Sequence, residues 1–439
     1  MPPQLALLLC IVFVLLLLRL ERKRTPGVSH ALWIPTIWML CIGTKPLGTW
    51  FGVAPDAEGS PMDRVFLSAL LCLDLFILVW RRFSWRRVIK ENAWLMLLIG
   101  YMLLSILWSD IPYISFKRWI REFTAITMAF LVATEPDPRQ AVESVLRRTA
   151  YILIPFSVLL ILYFPIYGRV YHRWSGELMW VGVNLQKNGL GRLCIICALF
   201  LVWTLAREWR RRDIPVGKLN AYADLFVLII TLWLLKGPPG VYPATATVAL
   251  GAGLAMFFTL RWMKKYHIYL GANILAAIMA IIIALGVAAP IVGTVPAAGV
   301  SVTLGREETL TGRTEIWSDL LPKVMQQPIL GGGFGGFWTP TTREKYNIGE
   351  AHSGYLEVLL DGGFVALLLL SVFLLSFGRR AQREMRYDFD WGSLCISYLV
   401  MVLIHSISES TINSFTNHLT AVLLFLSLSF PNNPRPPET

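Results

Sequence analysis

Apolar runs near twenty residues long recur from one end of this chain to the other. That pattern admits few folds. About twenty apolar residues in a helix cross the hydrocarbon layer of a bilayer, where each backbone N–H and C=O must be satisfied within the segment. Taken in order, the runs predict spans near 4–18, 32–51, 65–80, 93–108, 124–134, 152–167, 190–205, 225–235, 244–260, 269–292, 364–377, 393–407 and 419–430. The expected fold is an all-α polytopic membrane protein of about 12–13 transmembrane helices, forming a single integral membrane domain over residues 1–439. Composition agrees, with 55% of residues hydrophobic and only 15% charged, against about 25% charged in soluble domains.

The charges set an orientation. Arg19, Arg22, Lys23 and Arg24 follow the first apolar run. A cleaved signal peptide carries such charges before its apolar core, so this run reads as a retained helix with its N-terminus outside. Dense Lys/Arg clusters at 81–90, 207–212, 261–265 and 379–386 fall in alternate loops. By the positive-inside rule those loops are cytoplasmic. The net charge of +12 is therefore a membrane-topology signal and gives no reason to invoke nucleic acid.

The loops on the other side should be poor in cations, yet three of them are not. Lys117, Arg118 and Arg121 follow the fourth span, and Arg169, His172, Arg173 and Lys187 follow the sixth. Arg306, Arg313, Lys323, Arg343 and Lys345 lie in the longest loop, 289–355. Single interfacial cations snorkel to lipid phosphate at little cost, which suits Arg343 and Lys345. Arg or Lys supplied from three separate outer loops points instead to a multiply charged anion at the membrane face. Arginine suits phosphate because its planar fork donates two charge-assisted hydrogen bonds.

Within the long loop, Ile316, Trp317, Leu320, Leu321, Val324 and Met325 follow helical spacing and predict an amphipathic interfacial helix. Thr311 or Thr314 is the expected N-cap, which sets Arg313 at the helix start, where free N–H groups also favour an anion. Pro322 is expected to bend or shorten the helix. Gly331, Gly332, Gly333, Gly335 and Gly336 then read as a tight return or as a phosphate cradle, although the run lacks the GK[ST] of a P-loop. His352 closes the loop just before the next span. An imidazole there can accept a proton near neutral pH, as a general base does.

Other patterns are weaker. Cys194 and Cys197 have CxxC spacing but sit inside an apolar helix, where packing competes with redox or metal chemistry. Asp388-Phe389-Asp390 is formally a DxD in a short cytoplasmic loop. His405 falls within a span and suits packing or hydrogen bonding; His172 and His418 are lesser alternatives to His352.

Several stretches together resemble the O-antigen ligase and polysaccharide polymerase superfamily, with its exopolysaccharide-polymerase-like branch the nearest in look. They are Trp108-Ser109-Asp110 with Arg118 downstream, Gln186-Lys187-Asn188-Gly189 with Gly191, TLTGRTEIW at 309–317, PILGGGF at 328–334, and AHSGYLE at 351–357 with Gly362 and Gly363. The resemblance implies a bacterial inner-membrane glycosyltransferase of C-type architecture, multi-pass, with 289–355 as a long periplasmic loop carrying the active site. It implies an undecaprenyl-diphosphate-linked oligosaccharide donor, a glycan or lipid-linked acceptor, surrounding membrane lipids, and other polysaccharide-assembly proteins as partners. It implies inverting transfer with no metal and no cofactor. Carried onto this sequence, His352 is the catalytic base. Arg313 and Lys187 bind the diphosphate, with Arg306, Arg118 and Arg121 as helpers. Gln186 stands where the family has histidine before the Lys-Asn pair, and Ser353 where asparagine is common. The lead-in to the ninth span, PPGVYPATAT, lacks the usual arginine.

The expected function is polysaccharide polymerisation. The alternatives are an O-antigen ligase transferring to lipid A-core or another carrier, and a transporter or flippase of an anionic lipid-linked substrate. A transporter predicts charges buried within spans and related halves, and the sequence offers few such charges and no such halves.

Overall fold

The computed structural model describes residues 1–53, 59–81, 85–171, 176–208, 217–268, 270–293 and 308–430. Arg306, His172 and Arg173 lie outside the described residues.

The chain is an all-α polytopic membrane protein. Each of the thirteen predicted spans falls on a helix. In order these are α1 (Pro3–Arg24), α2 (Trp33–Ile42), α3 (Pro61–Trp80), α4 (Ala93–Leu104), α5 (Pro112–Ala133) and α6 (Pro138–Tyr163). After a two-stranded hairpin, β1 (Arg169–Tyr171) with β2 (Leu178–Trp180), come α7 (Lys187–Glu208), α8 (Gly217–Lys236), α9 (Ala244–Lys265) and α10 (Ala272–Val292). The long loop adds α11 (Glu308–Gln326) and α12 (Pro340–Tyr346), and the chain finishes with α13 (Gly354–Glu384), α14 (Phe389–His405) and α15 (His418–Leu428).

By length and composition, seven of these helices can cross a membrane: α1, α6, α7, α8, α9, α10 and α13. Four shorter apolar helices correspond to α2, α4, α14 and α15. The other two predicted spans, α3 and α5, are 20 and 22 residues long. They carry charges at Asp63, Arg64 and Asp74, and at Lys117, Arg118, Arg121 and Glu122.

The chain clusters into two compact units. The first comprises Met1–Arg82, Thr127–Leu250 and Ala421–Pro434. Its centre is α6 and α7, whose apolar windows are 78% and 72% buried, against 17% for α1. An ion network closes one end of these helices. Asp224 on α8 accepts from Arg24 Nη1 at 2.8 Å, Tyr151 Oη at 2.5 Å and Thr204 Oγ1 at 3.1 Å. Arg147 Nε lies 3.7 Å from the same carboxylate. Beside it, Arg148 Nε donates to Glu21 at 3.0 Å.

Among the described residues, the second unit comprises those within Phe83–Ile126 and Gly251–Thr420. Here α13 packs against α4, α10 and α14. It is really two helices, because Gly363 has φ +60° and ψ −161°. The break exposes backbone groups that the segment after α11 satisfies. Phe364 N donates to Pro328 O at 2.9 Å, Val365 N to Ile329 O at 3.2 Å, and Gly332 N to Leu360 O at 2.9 Å. A helix start leaves such N–H groups without intrahelical partners, so the wedge at 328–336 acts as their cap.

Candidate active site

The two strongest sequence candidates sit in the second unit, and the fold brings them to one place. The long loop lies between α10, which ends at Val292 as expected, and α13, which begins at Gly354. Helix α11 exists, but it starts at Glu308. The expected cap at Thr311 or Thr314 is therefore incorrect, and Arg313 occupies the second turn instead of the helix terminus. Pro322 does not end the helix, which continues to Gln326. Its inner face is Trp317, Leu320 and Val324, all buried, while Met325 is exposed. Trp317 fixes the helix to the loop that follows, since its Nε1 donates to Ala351 O at 2.9 Å.

Ala351 precedes His352, whose φ of +50° is unusual for a side chain with a Cβ. Such a backbone persists only where its surroundings impose it, and it is common at functional sites. The restraints are visible on both sides. Ser353 caps α13 by accepting from Leu356 N. Gly354 N donates to the carbonyls of Ser406 and Glu409. Glu357, one turn into α13 and 2% exposed, accepts from Ala351 N, from Trp338 Nε1 at 2.8 Å and from Ser410 Oγ at 3.2 Å. One buried carboxylate thus gathers three loops beneath His352.

The stretch between α14 and α15 supplies the residue that sequence reasoning missed. Glu409, with a side chain only 4% exposed, accepts from Arg313 Nη2 at 2.6 Å. His352 Nδ1 lies 3.4 Å from Glu350 Oε1. The side-chain ligand atoms of Glu350, His352 and Glu409 all fall within 4.8 Å of one another. A guanidinium, an imidazole and two carboxylates therefore share a half-buried patch. In spacing, the three donors resemble a cation site, but the Arg313 guanidinium already neutralises Glu409. The stretch carrying Glu409 is itself held from α5, where Glu122 accepts from Ser414 Oγ and Phe415 N, each at 2.6 Å.

Three further predicted residues lie on α5 and α7. Arg118 reaches the carbonyls of Gly335 and Trp338 and so braces the glycine loop. Arg121 is half-buried on α5, next to Glu122. Lys187 is half-buried at the start of α7, in the first unit. His405 Nδ1 pairs with Thr411 Oγ1 at 2.8 Å, a hydrogen-bonding role. The glycine run is a turn: Gly331, Gly333 and Gly335 have φ of +63°, +85° and +60°. Most of its N–H groups are taken by the protein itself. Gly331 N bonds Gln327 O, Phe334 N bonds Ser105 Oγ, Gly336 N bonds Gly333 O, and Asp361 accepts from the backbone of Gly335 and Phe337.

Residues 225–371, which contain both Arg313 and His352, match the family model described as O-antigen ligase. Over these residues the chain is similar to the O-antigen ligase family. The exopolysaccharide production protein ExoQ of Rhizobium meliloti (strain 1021) is 24% identical over 337 residues, covering 71% of this chain and 71% of that one. The matched segment runs from α8 into α13. Glu409 and the first-unit residue Lys187 lie beyond the matched family segment.

Proposed function

We propose that the chain is a membrane glycosyltransferase that moves a glycan from an undecaprenyl-diphosphate donor to an acceptor hydroxyl at the periplasmic face of the inner membrane. The observation that carries this reading is the convergence of Arg313, Glu409 and His352 in one patch of the second unit. A diphosphate leaving group needs a cation, and an attacking hydroxyl needs a base; the patch offers both.

In this reading the donor's diphosphate binds Arg313 through charge-assisted hydrogen bonds. Glu350 faces His352 Nδ1, which leaves Nε2 to take the proton from the acceptor hydroxyl. The oxygen attacks the anomeric carbon from the face opposite the diphosphate, so configuration inverts. The bond from that carbon to the phosphate oxygen breaks, and its electron pair departs on the diphosphate. The charge that builds there is stabilised by Arg313, a cation already fixed in place. Lys187, and with it Arg306, Arg118 and Arg121, belong to the wider set of cations this reading assigns to the donor. The residues offered account for inverting transfer without a metal or cofactor.

Polymerisation is the favoured reaction, in line with a relative described by exopolysaccharide production. The family description O-antigen ligase supports a second reading, transfer of finished glycan to a lipid or other carrier. A strain deleted for this protein and complemented with His352→Ala or Arg313→Ala tests the common core. Each variant is expected in the membrane at normal level, with surface polysaccharide abolished. Normal polysaccharide from both would overturn the proposal. The deletion strain separates the two reactions, since single repeats left on the carrier indicate a polymerase and full-length polymer stranded there indicates a ligase.

A further inference from the structure

At the other end of α13 lies a second feature that the transfer reaction does not use. Helix α13 is 31 residues long, so its far end is roughly 45 Å of helix from His352 at 1.5 Å per residue. There the ends of α9 and α13 and the starts of α10 and α14 surround a cavity of 1030 Å³. Lys264, Arg379, Arg383 and Arg386 line it. Arg379 and Arg383 are one turn apart on the same face of α13, a like-charge spacing that destabilises an isolated helix. Among the described residues none of these four cations is paired with a carboxylate. The nearby Asp390 lies 3.5 Å from Arg261 instead, and Lys264 sits 4.4 Å over the Phe389 ring.

The rest of the lining mixes apolar Leu260, Met263, Ile268 and Leu270 with polar His267, Asn273 and Gln382. Trp262 and Tyr266 are each 55% exposed beside it, at the level where aromatic side chains mark a membrane interface. The span windows of α9 and α10 are only 33% and 28% buried by protein, so their outer faces are left for lipid. The positive-inside rule accounts for cations at this end. It does not account for their convergence on one large cavity whose wall is partly apolar.

We infer that this cavity binds the headgroup of an anionic phospholipid, with the phosphate held by Arg379, Arg383, Arg386 and Lys264 and the start of the acyl chains against the apolar lining. Basic pockets between membrane helices bind such headgroups, and the volume is that of a ligand site. Occupancy ties α9 and α10 to the far end of the helix that begins beside His352. The inference is independent of the transferase reading.

The test uses the full-length chain in neutral detergent, followed by thermal unfolding with added phosphatidylglycerol, phosphatidylcholine or inorganic phosphate. Phosphatidylglycerol alone is expected to raise Tm. The triple variant Arg379→Gln, Arg383→Gln, Arg386→Gln removes exposed side chains, and its apparent affinity should fall roughly ten- to a hundredfold. Replacing the same three by lysine should restore the shift, and Lys345→Gln, a cation of the other loop face, should leave it intact. An equal shift with phosphatidylcholine, or a full phosphatidylglycerol shift in the glutamine variant, would overturn the inference. An equal shift with inorganic phosphate would also overturn it, by assigning the cavity to a soluble anion.

Discussion

Arg313 Nη2 donates to Glu409 Oε1 at 2.6 Å, joining the second turn of α11 to the stretch between α14 and α15. The pair sets Arg313 in a fixed position before any donor arrives, and it leaves the cation neutralised. Under the proposed function, a diphosphate must therefore compete with Glu409 for the guanidinium. Glu409→Gln keeps the shape and removes the charge. Donor KM should stay level or fall, because Arg313 is released. Turnover should drop roughly a hundredfold, the cost of letting a positioned group drift by about 1 Å. A steady-state KM and kcat comparison on membranes checks both parts, and a rise in donor KM with unchanged kcat would count against this role.

His352 offers a substitution that separates backbone from chemistry. Its φ of +50° is tolerated by asparagine better than by most residues. His352→Asn should therefore reach the membrane and unfold at the wild-type temperature while losing about two to four orders of magnitude in turnover, the usual contribution of a general base. Substantial transfer by this variant would remove His352 from the base role.

Glu357 accepts from three loops and touches no bulk water, at 2% exposure. Glu357→Ala strands the Trp338 indole N–H, the Ala351 amide and the Ser410 hydroxyl. Each buried group left without a partner costs about 1–3 kcal/mol, so Tm and membrane yield should both fall. Transfer should fall further than yield, because Ala351 adjoins His352. Activity per folded molecule, measured against a thermal melt, distinguishes the two effects.

Gly363 breaks α13 where Ile329 enters. A Cβ there would meet Ile329 O at 2.3 Å, on a backbone with φ +60°. Left-handed backbone alone costs a substituted residue about 1–2 kcal/mol, and the carbonyl has no room to retreat. Gly363→Ala should lower Tm and reduce the amount of inserted protein. A wild-type melt would mean that α13 straightens without loss.

Seven spans were legible because membrane crossing calls for a length and an apolar composition that few other helices combine. Arg313 and His352 stood out in the sequence because cations in loops expected to be poor in them call for a reason, and because TLTGRTEIW and AHSGYLE carry a family resemblance. Glu409 was not legible. It sits in a short run of Ser, Thr and Asn after α14, and only tertiary packing carries it to Arg313. The start of α11 was misread because Thr311, Gly312 and Thr314 resemble a cap, whereas the burial of Trp317, Leu320 and Val324 sets the helix. Arg118 stood out in the sequence for its charge and for its place downstream of Trp108-Ser109-Asp110. Its place behind the glycine loop becomes visible only when the carbonyls of Gly335 and Trp338 are in view. Glu357 did leave a signal, a carboxylate standing inside an apolar run, of the kind that marks a residue with committed partners.

Asp224 poses the corresponding question for the first unit. Its carboxylate is fully buried between Arg24 and Arg147, and it takes hydrogen bonds from Tyr151 and Thr204. Replacing it by asparagine preserves the shape but leaves two guanidinium groups close together with their shared counter-charge gone. Breaking a buried pair in this way costs about 3–5 kcal/mol. Asp224→Asn should therefore unfold at a clearly lower temperature and accumulate poorly in membranes. The protein that does fold should transfer glycan at the wild-type rate per molecule, because no residue of this network belongs to the Arg313–His352 patch. A melt unchanged from wild type would show that the two arginines find other partners, and a lowered rate per folded molecule would show that the network reaches the reaction.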